Sequence, residues 1–239
     1  MKLIFIRHGD PDYSIDSLTE KGWREANLLS DRVMKWDVTD IFCSPLGRAR
    51  DTAKPFLEKS GRSAEIRDWL REFPGYVLKE DGTKRIPWDL LPSHFTGIDD
   101  YFSSEKWLET ELMSSGDVKE KFLAVTDGID GILASHGYKR EGRYYRTESE
   151  NRDTLVFFCH LGVMCVILSH LLNIPPVVTW QGCFVAPSSV TILHTEEREE
   201  GIAYFRSACI GDVSHLNAAG EPVSFSGRFC ETFHSDERH

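Results

Sequence analysis

The sequence has no long apolar run, and this excludes a membrane-spanning helix. The apolar stretch within residues 1–6 is too short for the core of a signal peptide, which needs about 7–15 apolar residues. No other run approaches the roughly 20 apolar residues that span a bilayer as a helix. We therefore expect a cytoplasmic protein that has no membrane partner.

Positive charge is in deficit. The chain carries 28 Lys and Arg against 38 Asp and Glu, a formal net charge of −10. An acidic body repels the phosphates of nucleic acids and anionic lipid surfaces, so we expect no nucleic-acid partner. Any phosphate site must then be a local basic pocket on a molecule that otherwise repels anions.

The sequence also lacks a metal-binding pattern. Its cysteines are not spaced as in a zinc knuckle, and several lie in apolar runs, which favours reduced, buried thiols over a disulfide framework. The nine histidines include no HExxH or comparable ligand spacing. We expect neither a metal nor another cofactor. The six cysteines are Cys43, Cys159, Cys165, Cys183, Cys209 and Cys230.

What is present is an alternation of strand and helix patterns over the first 70 residues, which indicates an α/β fold. We predict three layers, α/β/α, with a mostly parallel central sheet in a single domain over residues 1–239. Residues 73–115 have poor periodicity and many aromatics, which predicts a cap or insertion after the third strand. The predicted strands are 3–6, 40–43, 65–67, 154–159, 189–194 and 202–207, and the predicted helices are 19–36, 47–58, 117–135 and 161–172. The tail from residue 211 is expected to be irregular.

Basic side chains stand where three predicted strands end. Arg7 and His8 follow the first strand, Arg48 follows the second, and His160 ends the strand at 154–159. If these strands are parallel neighbours, their carboxyl ends share one edge, where α/β proteins bind ligands. Two guanidiniums with a helix N-terminus suit a phosphate dianion. A neutral imidazole can form a covalent intermediate, and Gly9 would let the backbone bend so that the His8 ring faces the pocket.

These residues resemble the signature of the histidine phosphatase superfamily, the phosphoglycerate-mutase-like proteins. The resemblance begins with Arg-His-Gly at residues 7–9 and continues through residues 18–26, 44–53 and 70–72 to the strand that ends in His160. It implies a mostly parallel sheet flanked by helices. It further implies that His8 is phosphorylated, that Arg7, Arg48 and His160 hold the phosphoryl oxygens, and that Glu72 donates the proton.

The chain departs from the family pattern at two places, and the second departure, at Tyr13 and Ser14, favours a phosphatase over a mutase. Leu161 stands where the family often has a glycine after the second histidine, and could narrow the pocket. The mutases typically have an acid after Arg-His-Gly and then Trp-Asn. Here Asp10 keeps the acid, but Tyr13 and Ser14 replace Trp-Asn, and Ser14 could still donate to phosphate.

The sequence therefore predicts a metal-independent phosphomonoesterase that hydrolyses a small phosphorylated metabolite through a phosphohistidine. The predicted catalytic residues are His8, Glu72 and His160, and the predicted phosphate-binding residues are Arg7, Arg48, His160 and Ser14. Three alternatives stay open: a phosphoglycerate-type mutase, a phospho-ligand-binding module with lapsed catalysis, and a metallohydrolase. A homodimer is compatible with the sequence, which does not name the substrate.

Overall fold

The computed structural model of the chain describes residues 1–235. The strands of this part are β1 (Lys2–Arg7), β2 (Pro11–Asp12), β3 (Ser17–Leu18), β4 (Asp40–Cys43), β5 (Glu65–Ile66), β6 (Val77–Leu78), β7 (Lys84–Arg85), β8 (Lys139–Glu141), β9 (Tyr144–Arg146), β10 (Thr154–Cys159), β11 (Val190–Glu199) and β12 (Ile202–Asp212). The helices are α1 (Glu20–Val33), α2 (Gly47–Ser60), α3 (Glu111–Ser114), α4 (Val118–Ser135), α5 (Leu161–Leu172), α6 (Pro176–Gly182) and α7 (Ser214–Ala219).

Eight strands form one sheet in the order β5-β4-β10-β1-β11-β12-β9-β8. The neighbours from β5 to β1 are parallel, and those from β1 to β8 are antiparallel. The predicted α/β fold is confirmed, and the sheet is mixed, with its parallel part at the site edge and an antiparallel extension beyond β1. None of the helices in residues 1–235 combines the length and the apolar character needed to cross a membrane.

Helices cover both faces of the sheet, as the alternation along β1 shows. Leu3 and Phe5 point into the larger of two cores, together with α4 and α5, whereas Ile4 and Ile6 point into the smaller core with α1 and α2. All six residues of β10 are buried, as expected for a parallel strand that is covered on both sides. The three layers that the sequence predicts are therefore present.

Local signals set the helix ends close to where they were predicted. The Thr19 hydroxyl caps α1 by accepting a hydrogen bond from the Gly22 amide at 3.1 Å. Helix α5 coincides with the prediction, and Asn173 ends it in the left-handed conformation at φ 55°. This helix is buried almost all round, which suits a helix at the centre of the larger core.

Residues 73–115 follow β5 and hold the β6–β7 hairpin, three 3₁₀ helices and α3. Phe95, Tyr101 and Trp107 of this segment are buried in the larger core, so most of its aromatic content serves packing. Trp88 is only partly buried. The buried rings thus anchor the segment to the larger core, whereas the Trp88 indole stays partly exposed at the edge of that core.

The antiparallel half of the sheet and the chain's end depart most from the sequence-based expectation. The β8–β9 hairpin was not predicted, and β11 and β12 are longer than the predicted strands. The tail contains α7 before it becomes irregular. All six cysteines lie within the described residues and are free.

Candidate active site

The carboxyl ends of β1, β4 and β10 meet at one edge of the sheet. Arg7 pairs in register with Cys159, and Phe158 pairs with Cys43, so the residues that follow these strands are neighbours. The His8 amide donates to the Cys159 carbonyl at 3.0 Å. The ring centroids of His8 and His160 are 5.1 Å apart. The parallel pairing assumed from the sequence therefore brings the two histidines together.

His8 is a buried imidazole with a defined tautomer. Its Nδ1 lies 2.8 Å from the Gly9 carbonyl oxygen, and because a carbonyl only accepts, Nδ1 carries the proton. Burial, reinforced by the charges of Arg7 and Arg48, holds the pKa of His8 well below its usual value. The ring is therefore neutral, with its lone pair on Nε2, which bonds no group within residues 1–235. That is the form in which a histidine attacks phosphorus.

Two guanidiniums stand beside His8. Arg7 is 3% exposed and donates from Nη1 to the Val185 carbonyl at 2.7 Å. Arg48 donates from Nη1 to Asp16 Oδ1 at 2.6 Å. Within residues 1–235, the buried Nε atoms of both arginines have no hydrogen-bond partner. Each guanidinium is thus held through its Nη1 and keeps N–H donors that are not used within the protein, as an oxyanion site requires.

Glu72, in the loop before the insertion, lies on the same side of the sheet edge as Arg7 and Arg48 and lines one cavity with them. Its Oε1 accepts from the Phe73 amide at 2.8 Å and from the Val163 amide, in the first turn of α5, at 3.2 Å. Burial raises the pKa of Glu72, against the opposing effects of those amides and of Arg7. A carboxyl of this kind can hold a proton at a pH where an exposed glutamate cannot.

His160 is the N-cap residue of α5 and is fully buried. Its Nε2 lies 2.8 Å from Ser44 Oγ, which also accepts from the Leu46 amide at 3.2 Å. Ser44 can therefore donate its hydroxyl proton to Nε2, which leaves the His160 proton on Nδ1. That Nδ1 is buried and has no partner within residues 1–235. Burial and the neighbouring His8 lower the pKa of His160 well below its usual value, so the ring offers a neutral N–H donor.

Ser44 is a positioning residue that the sequence analysis did not assign. It follows β4, and its amide donates to the Phe158 carbonyl at 2.9 Å, which fixes it between two parallel strands. The available signal was a hydroxyl residue at a strand end beside the other strand ends of the site. Without the tertiary pairing, nothing in the sequence linked it to His160.

Ser14 is the one predicted site residue that the structure does not bring to the site. Its hydroxyl donates to Asp12 Oδ1 at 2.6 Å and its amide to the same oxygen at 2.9 Å, so a local turn satisfies it on the exposed loop. Tyr13 lines the cavity instead, with its ring 5.4 Å from the Arg48 guanidinium carbon. The geometry therefore gives no support to a phosphate contact from Ser14, which stays a prediction.

Glycines at two positions serve close approach. A Cβ on Gly9 would lie 2.9 Å from the Gly22 carbonyl oxygen, and Gly9 is not in the left-handed region. Its role is therefore contact with α1 and not the backbone freedom expected from the sequence. A Cβ on Gly162 would lie 2.7 Å from Glu72 Oε1 and 2.9 Å from the Trp88 ring. The position intolerant of a side chain is thus Gly162, while Leu161 forms part of the cavity wall.

Arg7, Arg48 and Glu72 line a cavity of about 610 Å³. Its outer wall comes from residues 86–89, from the α6 region and from residues 227–229 of the tail. No function was predicted from the sequence for the tail. Among residues 1–235, no group of three or more Asp, Glu, His or Cys side chains could hold a metal ion.

Comparison with known proteins agrees with this arrangement. The model of the histidine phosphatase superfamily (branch 1) matches residues 3–85, which include Arg7, His8, Arg48 and Glu72. A probable phosphatase of Schizosaccharomyces pombe is 40% identical over 67 residues, which are 24% of this chain and only 32% of that protein. The adenosylcobalamin/alpha-ribazole phosphatase of Salmonella typhi is 24% identical over 77% of this chain and 88% of its own length.

Solved structures share the fold. The mycobacterial glucosyl-3-phosphoglycerate phosphatase superposes with a TM-score of 0.60 at 19% identity, covering 88% of this chain and 98% of that one. The sequence relatives include phosphoglycerate mutases as well as phosphatases. The signature residues stand in order along the chain and gather at one sheet edge, residues 3–85 match the histidine phosphatase superfamily (branch 1), and the chain as a whole shares the fold of the glucosyl-3-phosphoglycerate phosphatase.

Proposed function

We propose that this protein is a metal-independent phosphomonoesterase that acts through a phosphohistidine on His8. The observation that supports it most is the state of His8: a buried, neutral imidazole whose Nδ1–H is fixed by the Gly9 carbonyl, beside two guanidiniums with unused donors. Histidine nucleophiles need this tautomer and this surrounding charge.

In the first step, His8 Nε2 attacks the phosphorus atom and the ester P–O bond breaks. The leaving alkoxide takes the proton of Glu72, and the phosphoryl oxygens are held by Arg7, Arg48 and the Nδ1–H of His160. In the second step, a water attacks the phosphorus atom, gives its proton to the Glu72 carboxylate, and the N–P bond breaks. His8 returns to its starting form, and free phosphate is released.

The cations near the cavity support a phosphatase over a phosphoglycerate-type mutase. A mutase must hold the carboxylate and the second phosphate of its substrate as well as the transferred group. Besides Arg7 and Arg48, the described cavity wall contains one further cation, Arg228, and this arginine is paired with Glu231. A second anionic group would therefore compete with an existing ion pair.

The test is whether the enzyme carries phosphate on His8 during turnover. Acid-quenched enzyme should hold an acid-labile, alkali-stable phosphate, and His8→Asn should lose both this phosphate and the release of inorganic phosphate. His94→Asn, a change at an exposed histidine in the insertion, is the matched control and should keep both. Full activity in folded His8→Asn would refute the proposal.

Two further measurements separate the alternatives. Activity should survive exhaustive chelation, because the two arginines supply the charge that a divalent ion would supply. A rate that disappears with EDTA and returns with zinc or manganese would indicate a metallohydrolase. An isomer formed from a monophosphate in place of free phosphate would indicate a mutase, and binding of phosphate esters without any turnover would indicate a lapsed binding module.

A further inference from the structure

Beyond the phosphate-binding groups, the cavity wall is built from apolar and aromatic side chains. Trp88 and Trp180 lie side by side, with ring centroids 6.2 Å apart and planes inclined by 44°. The Trp180 indole N–H donates to the Gly162 carbonyl at 3.1 Å, and the Trp88 carbonyl accepts from the Gln181 amide at 2.9 Å. The first bond fixes the Trp180 indole, and the second fixes the backbone that carries Trp88. The apolar members of the wall are Ile86, Trp88, Leu161, Trp180, Phe184 and Phe229.

Two phenyl rings stand at the open side of this wall. Phe184 is 40% exposed and Phe229 is 58% exposed, and neither ring stacks on another aromatic side chain within residues 1–235. Large apolar groups left exposed at the mouth of a cavity mark surface that a ligand covers. Phe184 comes from the loop after α6 and Phe229 from the tail, so two distant parts of the chain supply one rim.

The charged groups of this outer wall are already paired. Asp89 forms an ion pair with Arg85 at 3.4 Å, and Arg228 forms one with Glu231. Of the three arginines that line the cavity within residues 1–235, Arg7 and Arg48, next to His8, each have a buried Nε without a hydrogen-bond partner. The outer wall therefore offers contact area to a neutral group, whereas a second anion would have to compete with the existing ion pair of Arg228.

From these observations we infer that the substrate is the phosphate monoester of an uncharged alcohol that bears a flat aromatic ring. The inference rests on the proposed phosphatase activity and assigns its leaving group. Aromatic rings gain from edge and face contacts with indole and phenyl rings in addition to the area they bury. A cavity of about 610 Å³ can hold a ring system together with its phosphate.

Phe229, the rim ring from the tail, follows a segment that is bonded to α1 and to the loop after β1. We call residues 221–229 the C-terminal strap. Glu221 forms ion pairs with Lys21 at 3.2 Å and Arg24 at 3.0 Å, and the Ser224 hydroxyl donates to Asp10. Gly227, at φ +85°, approaches so closely that a Cβ would lie 2.9 Å from Arg7 Nη2. The strap thereby places Phe229 at the cavity on the side of the phosphate-binding arginine.

The experiment compares 2-phenylethyl phosphate with 2-cyclohexylethyl phosphate. Both compounds release primary alcohols of nearly equal basicity. A difference in kcat/KM between them therefore reports whether the cavity wall binds a flat ring better than a puckered ring of similar size. The wild-type enzyme should prefer the phenyl compound by about 3- to 10-fold, the range expected for one aromatic contact pair. Phe184→Ala and Phe229→Ala should each bring the ratio toward one.

Phe102→Ala is the matched control, because Phe102 is a 47% exposed phenylalanine of the insertion that does not line the cavity. It should keep the wild-type ratio. Equal kcat/KM for the two compounds in the wild-type enzyme, or an unchanged ratio in both rim variants, would overturn the inference and leave the proposed phosphatase standing. Failure to release phosphate from any monoester would instead remove the proposed function, and the inference with it.

Discussion

At the residue scale, burial sets the protonation of the candidate machinery. It pushes the pKa of His8 and His160 down and that of Glu72 up, so all three groups are favoured in their neutral forms. A neutral His8 keeps a lone pair for attack, a neutral His160 keeps one N–H donor, and a neutral Glu72 keeps a proton to give. One physical cause thus prepares three different roles.

The role of Glu72 can be separated from that of His8 by the basicity of the leaving group. Glu72→Gln keeps the shape of the side chain and removes the proton to be donated. We expect kcat/KM for an alkyl phosphate to fall by roughly 10²–10⁴-fold, and that for 4-nitrophenyl phosphate to fall much less, since nitrophenolate leaves without protonation. Equal losses on both substrates, measured in steady state, would assign the proton to another group.

The same pKa shifts predict the pH profile. Because the pKa of Glu72 is raised, its protonated form persists above the usual glutamate range, and kcat/KM for an alkyl phosphate should fall as the pH rises through that pKa. Because the pKa of His8 is lowered, activity should survive in acid below the usual histidine range and fall only as His8 takes up a proton. In Glu72→Gln the basic limb should disappear, whereas its persistence would argue against Glu72 as the acid.

At the element scale, the first turn of α5 organises the site. Its N-cap is His160, its Val163 amide bonds Glu72, and its Gly162 leaves room for both Glu72 and Trp88. A helix N-terminus also favours negative charge nearby, which suits both a phosphate and the carboxylate form of Glu72. The turn therefore couples the acid to the second histidine through backbone geometry.

Gly162→Ala tests this close packing. The new methyl group would meet Glu72 Oε1 at 2.7 Å and the Trp88 ring at 2.9 Å, so one of them must move. We expect a folded enzyme that loses at least about tenfold in kcat/KM on alkyl phosphates and less on 4-nitrophenyl phosphate, as for loss of the general acid. Identical losses on the two esters would indicate that the methyl displaces something other than the carboxyl.

Gly131→Ala is the control for that substitution. Gly131 lies in the interior of α4, and a Cβ there would meet no atom within 4 Å. Replacing a helical glycine by alanine at such a position should stabilise the protein by about 0.5–1 kcal/mol, visible as a higher midpoint of thermal unfolding, and should leave kcat/KM unchanged.

At the scale of the whole molecule, the chain closes on itself across its site. The C-terminal strap lies against α1 and the loop after β1. Residues near the end of the described chain therefore line the same cavity as Arg7, at the end of the first strand. Only the hydrogen bond from Ser224 ties the strap directly to Asp10 of that loop. The strap is therefore an element whose position should affect substrate binding more than chemistry.

Ser224→Ala tests the strap. Losing a hydrogen bond to the partly buried carboxylate of Asp10 costs about 1–3 kcal/mol, which would loosen the strap from the loop. We expect KM to rise severalfold with a smaller change in kcat, together with faster proteolysis within residues 221–229. Ser226→Ala removes a hydroxyl two residues away that bonds no group within residues 1–235, and it should change neither quantity. An unaltered KM and cleavage rate in Ser224→Ala would show that the other contacts suffice.

Three strands of the parallel part of the sheet and the polar residues that follow them could be predicted from the sequence, with the parallel pairing itself an assumption. Apolar runs define β1, β4 and β10, and the polar residues that end them are local features of each run. Because parallel strands place their carboxyl ends together, the assumption of parallel pairing was enough to assign Arg7, His8, Arg48 and His160 to one site. Glu72 came from the family resemblance alone, since it stands in a charged stretch.

The groups that surround that edge depend on long-range contacts in the folded chain. Ser14 looked like a phosphate donor but is satisfied by Asp12, two residues away, whereas Ser44 orients His160 across 116 positions of sequence. The antiparallel strands β11 and β12 and the strap depend on contacts of the same long range. Such contacts are determined by burial and charge pairing in the folded molecule, so the local periodicity of the sequence cannot predict them.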